Sequence, residues 1–158
     1  MWALDDLNGY MQEALRLAEQ SLQNGEVPVG AVIIAPDGVI IGRGANSAEA
    51  QASQLCHAEL CALREAVAAT GDWRLEGCLV VVTLEPCLMC LGALLLSRVS
   101  YIVYGARSPL FGATALVGQL SEAYRTHTII RGGLQEEECG VIMTRFFSQS
   151  RTIKKDVS

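Results

Sequence analysis

The chain has 158 residues, 51% hydrophobic and 18% charged, with a formal net charge of −5 and a mean hydropathy of +0.30. These values exclude a disordered chain and fit one domain over residues 1–158, large enough to bury a core and too short for two ordinary ones. The charge is uneven: residues 1–90 hold four bases against twelve acids and residues 91–158 eight against five, so an acidic body ends in a basic segment, with 151–158 expected as a flexible tail.

From Leu4 to Asn24 the apolar positions Leu7, Met11, Leu15, Ala18 and Leu22 recur at helical spacing, and Gly25 follows as a stop. Val29 to Ala35 reads as a strand, Pro36-Asp37-Gly38 as a turn, and Val39 to Ile41 as the returning strand, ending before Gly42 and Gly44. Ala45 to Cys56 lacks periodicity and reads as a loop. His57 to Ala69 is a second helix stopped at Thr70-Gly71-Asp72. Leu79 to Thr83 is a buried strand, Cys87 to Ser97 a third helix, Ser100 to Tyr104 a strand, Thr128 to Arg131 a short strand and Gln135 to Gln149 a closing helix. The alternation predicts a layered α/β domain with a partly parallel sheet.

The apolar run Cys78 to Leu96 has Glu85-Pro86 at its middle, where a bilayer would penalise the carboxylate by about 3 kcal/mol, so no membrane span is expected. The acidic start Met1 to Asp6 resembles neither a signal nor a transit peptide, and a cytoplasmic location is expected. Six cysteines in such a chain suggest free thiols or metal ligands before disulfides.

Pro86-Cys87-Leu88-Met89-Cys90 opens the third helix, where exposed N–H groups favour thiolates and two sulfurs one turn apart face the same way. Of the two histidines, His57 and His127, His57 is the better third zinc ligand because it too begins a helix after a loop. One His and two Cys leave a fourth position for a water, whose pKa zinc lowers to about 7. Glu59 is placed to move its proton. His-x-Glu with Pro-Cys-x-x-Cys is the signature of zinc deaminases. Two other readings stay open here: a thioredoxin-like redox pair, and a structural zinc site closed by Cys61, four residues after His57, or by Cys56. Cys78 and Cys139 read as small buried hydrophobes, His127 as a surface histidine, and Asn46, on its own, as a loop asparagine serving its own turn.

Taken together, Glu26-Val27-Pro28-Val29-Gly30-Ala31, Asn46, His57-Ala58-Glu59, Thr83-Leu84-Glu85-Pro86-Cys87-Leu88-Met89-Cys90, Val103-Tyr104-Gly105-Ala106-Arg107 and the closing Phe146-Phe147 resemble the bacterial tRNA-specific adenosine deaminase family of the cytidine deaminase-like superfamily. The resemblance covers most of the chain. It implies a three-layer α/β/α sandwich around a mixed five-stranded sheet and a homodimer with one Zn2+ per subunit. It further implies conversion of adenosine to inosine at the wobble position of a tRNA anticodon stem-loop. His57, Cys87 and Cys90 take the ligand roles, Glu59 the proton shuttle, and Asn46 and Arg107 contact substrate. The chain departs from the family at Ser53-Gln54-Leu55-Cys56, where Asp-Pro-Thr-Ala is usual, at Cys61 for Met and at Ser108 for Asp. Those positions border the substrate, so deamination of a free base such as guanine or cytosine is the alternative activity.

Overall fold

The β-branched runs Gly30–Ile34 (β1) and Leu79–Leu84 (β3) lie at the centre of a five-stranded sheet of order β2-β1-β3-β4-β5, with β2 Ile40–Ala45, β4 Tyr101–Ala106 and β5 Ile129–Gly132. The computed structural model describes residues 2–122, 124 and 128–156, with side chains through Gln149. His127 lies outside the described residues, as do, in the basic segment, Arg125 and the side chains of Arg151, Lys154 and Lys155. Strand β1 pairs antiparallel with β2 and β3, while β3, β4 and β5 run parallel, which makes the sheet mixed.

Successive residues of β1 and β3 point to opposite faces, and both faces are covered. Ala31, Ile33, Val80 and Val82 pack with Ala58, Ala62 and Ala66 of α2 (Ala58–Thr70) and Leu91, Leu94 and Leu95 of α3 (Leu88–Leu96). Val32, Ile34, Leu79 and Val81 pack with Met11, Ala14 and Leu17 of α1 (Leu4–Gln23) and Cys139 of α4 (Glu136–Asp156). This is the three-layer α/β/α sandwich expected from the sequence. Cys78 and Cys139 are both buried within it, as expected, and burial raises both thiol pKa values.

Four elements differ from the sequence reading. Strand β2 runs through Gly42 and Gly44 rather than stopping at Ile41, because glycines there let α2 settle directly on the strand: a Cβ at either would strike the Ala62 or Ala58 carbonyl oxygen. Helix α4 continues past Gln149 to Asp156, taking in most of the segment expected as a tail; no Gly or Pro there stops it. Short 3-10 turns form at Gln54–Cys56 and Thr114–Gln119, where no periodicity announced them.

Candidate metal centre

His57 is the N-cap of α2 and Cys87 the N-cap of α3, both with extended backbone (ψ 148° and 170°), and Cys90 lies one turn into α3. The two helix starts meet at one end of the sheet. His57 Nδ1 lies 3.7 Å from Cys87 Sγ and 3.5 Å from Cys90 Sγ. A tetrahedral zinc bonded to one imidazole nitrogen and one thiolate at ordinary lengths holds those two donors about 3.6 Å apart. The donor set and its spacing therefore fit zinc. Among the described residues, His57, Cys87 and Cys90 form the one His/Cys/Asp/Glu group whose ligand atoms cluster this way, all within 4.8 Å.

Cys61 and Cys56 stand outside that cluster, which corrects the structural-zinc alternative. The expectation for Cys61 assumed that His57 is helical, so that residues four apart share a face. With His57 at the extended cap, its ring turns towards α3 and the pairing fails. A redox reading of Cys87 and Cys90 is likewise disfavoured, since a histidine nitrogen closes on both sulfurs.

The three groups are electrostatically interdependent. Hydrogen bonds from Cys90 and His57 pull the Cys87 thiol down to about 4 against its burial, so a thiolate is present at neutral pH. Cys90 is pushed up by its hydrogen bond to Cys87, by burial and by Glu59. His57 is raised, chiefly by Cys87. Glu59, in the first turn of α2 and 4% exposed, is raised above the ordinary carboxyl range first by burial and also by the Cys87 charge.

Asn46 follows β2 and is buried; its side-chain N–H donates to the Val27 carbonyl at 3.0 Å. That bond ties it to a different loop rather than to its own turn. Its Oδ1 is buried with no partner among the described residues, an acceptor open to a donor from a bound molecule. Arg107 follows β4, is exposed and makes no ion pair among the described residues, whereas Arg98 pairs with Glu76 and Arg145 with Glu19.

Two buried glutamates, not singled out from the sequence as functional, shape the walls. Glu26 accepts the Glu49 and Ala50 N–H groups at 3.0 and 2.7 Å and so fixes the loop leading to His57. Glu85 accepts the Ser108 and Thr114 N–H groups at 3.1 and 3.3 Å and the Thr114 hydroxyl, fixing the loop that runs past Cys87. The available signal was an acid inside an apolar run, which has to find hydrogen bonds once buried.

Residues 5–106 match the family described as the cytidine and deoxycytidylate deaminase zinc-binding region. The chain belongs to this zinc-binding deaminase family. Within it, a tRNA-specific adenosine deaminase of Streptococcus pyogenes serotype M18 is 43% identical over 98% of each chain. A tRNA(Ile)-lysidine synthase of Deinococcus radiodurans is 44% identical over 96% of this chain, which spans only 26% of that protein's length. A solved tRNA:A34 deaminase, studied for A-to-I editing at the wobble position of transfer RNA, superposes with a TM-score of 0.79 at 34% identity, covering 85% of this chain and 98% of that one. The deaminase family membership accords with the His-Cys-Cys cluster and the buried glutamate beside it. No helix among the described residues is long and apolar enough to cross a membrane.

Proposed function

We propose that this chain hydrolyses adenosine to inosine, with release of ammonia, at the anticodon wobble position of a tRNA, as a cytoplasmic homodimer with one zinc per subunit. The observation that carries the reaction is the buried Glu59 carboxyl beside the convergent His57, Cys87 and Cys90. The choice of substrate rests on likeness to tRNA-specific adenosine deaminases over nearly the whole chain.

His57, Cys87 and Cys90 would hold the zinc, which when bound supplies Lewis-acid activation of water at neutral pH. Glu59 takes a proton from the water that attacks C6 of the base and gives it to the ring nitrogen, then takes the second proton from the hydroxyl so formed on C6 and delivers it to the amine, which departs as ammonia and leaves the carbonyl. Its raised pKa suits both halves of that exchange. Asn46 Oδ1 accepts a hydrogen bond from the bound nucleoside. Arg107 meets a phosphate, and affinity should accordingly fall with salt. A base leaves its stack at least cost in a single-stranded loop, which an anticodon provides. The exposed Leu88, Leu96, Leu110 and Phe111 supply apolar surface of the kind a second copy would cover.

The test is incubation of the zinc-loaded protein with an anticodon stem-loop carrying adenosine at its first anticodon position and, separately, with free guanine and cytosine. Inosine in the RNA supports the proposal. Turnover of a free base with inert RNA overturns it in favour of the free-base activity.

A further inference from the structure

The two nitrogens of the His57 ring have different neighbours. Nδ1 faces the sulfurs of Cys87 and Cys90 at 3.7 and 3.5 Å, while Nε2 lies 3.1 Å from the side-chain oxygen of Gln54. A carbonyl oxygen only accepts, so this contact keeps a proton on Nε2, and the proton that Nδ1 shares with Cys87 in the metal-free site is the one the ring gives up to a metal. Turned over, the amide would offer its NH2 group to Nε2, drive the proton to Nδ1 and block the ligand position. Which end of Gln54 meets the ring therefore matters to metal binding.

The backbone around Gln54 is fixed by its own hydrogen bonds. Gln54 begins the 3-10 turn ending at Cys56, the Ser53 hydroxyl accepts the Leu55 N–H at 3.2 Å, and the Cys56 carbonyl accepts the Ser47 N–H at 3.0 Å. The turn delivers Gln54 and His57, three residues apart, to the same side. Gln54 is itself exposed and packs no core, so its replacement tests the contact rather than the fold.

We propose that Gln54 is a positioning residue of the metal centre: its side-chain oxygen holds the His57 proton on Nε2 and so presents Nδ1 to zinc. Hydrogen-bond partners of ligand histidines are worth about 10–100-fold in metal affinity. The exposure of Gln54 places it at the low end.

The test compares wild type with Gln54→Met, which keeps length and removes the acceptor, and Gln54→Glu, which presents oxygen in either orientation. Zinc dissociation constants come from competition with a chromophoric chelator, and the ring tautomer from nitrogen-15 NMR of His57 in the zinc-free protein. Gln54→Met should bind zinc about 10-fold more weakly, with the Tm of the zinc-free protein unchanged and a mixture of tautomers. Gln54→Glu should bind at least as tightly as wild type. The proposal is overturned if Gln54→Met stays within about twofold of wild type with the proton still on Nε2, or if Gln54→Glu is as weak as Gln54→Met. The inference rests on the zinc part of the functional reading and uses no substrate, so inert RNA leaves it standing and its own failure leaves the deaminase reading intact.

Discussion

Gly44 of β2 lies directly beneath the carbonyl oxygen of Ala58, the residue between His57 and Glu59, so closely that a Cβ at Gly44 would collide with it. The first turn of α2 is thus set by contact with the strand below, and with it the places of His57 and Glu59. Gly44→Ala should cost about 3 kcal/mol in urea denaturation, since backbone must move to admit the methyl group. It should also lower activity by displacing Glu59. Gly9→Ala, in α1 with open space around it, should instead stabilise by about 1 kcal/mol and leave activity unchanged.

Much of this arrangement was legible in the sequence. The apolar runs of β1 and β3 announced strands covered on both faces, and the metal cluster followed from two short motifs because both open helices after loops. Cys61 misled because a cap residue and a helical residue have the same spacing in sequence but not in space. The partners of Glu26 and Glu85 were out of reach for another reason: apart from the Thr114 hydroxyl they are backbone N–H groups, and all lie in loops more than twenty positions away without side-chain pattern to mark them. Gln54 was legible only as a departure from the family's loop sequence, its contact with His57 depending on a turn that no periodicity predicts.

Glu85→Ala should free buried donors at Ser108 and Thr114 and destabilise by about 3 kcal/mol, the range for hydrogen bonds to a charged acceptor. Zinc content, measured by atomic absorption, should stay at the wild-type level, because the starts of α2 and α3 place His57, Cys87 and Cys90, and the loop adds only the Cys87–Gly112 bridge and the Ala113 N–H bond to the Pro86 carbonyl. Loss of zinc in the folded variant would show that the loop supports the metal centre itself.

Glu13 bridges Arg16 on its own helix and Arg43 on β2, and the hydrogen bond from Arg16, with that from Arg43, lowers its pKa from 4.5 to about 2. A carboxylate whose pKa is lowered on folding stabilises in full above about pH 4.5, and the contribution fades as pH falls towards 2. Glu13→Gln should therefore lose about 1 kcal/mol at pH 7 and close on wild type in acid. A deficit that is constant between pH 7 and pH 3 in paired denaturation curves would contradict this assignment.

Asn46 donates to Val27 and its oxygen has no partner among the described residues, so Asn46→Ala removes one loop contact and the acceptor proposed to meet the nucleoside. We expect kcat/KM to fall by about 10-fold or more beyond any loss of stability, the worth of one hydrogen bond to an uncharged group. Steady-state kinetics alongside melting curves separate the two. Equal kcat/KM in a destabilised Asn46→Ala variant would confine the residue to the loop.

In the proposed reaction Glu59 moves protons at a His57-Cys87-Cys90 zinc centre. It is tested most directly by measuring single-turnover inosine formation in an anticodon stem-loop with Glu59→Ala, together with the zinc content of that variant and of Cys61→Ser. Full zinc occupancy is expected in both variants, with activity retained in Cys61→Ser and a loss of about 100-fold to 10,000-fold in Glu59→Ala. Undiminished inosine formation in Glu59→Ala would remove Glu59 from the proton transfers, and zinc lost from Cys61→Ser would overturn the His57-Cys87-Cys90 ligand set.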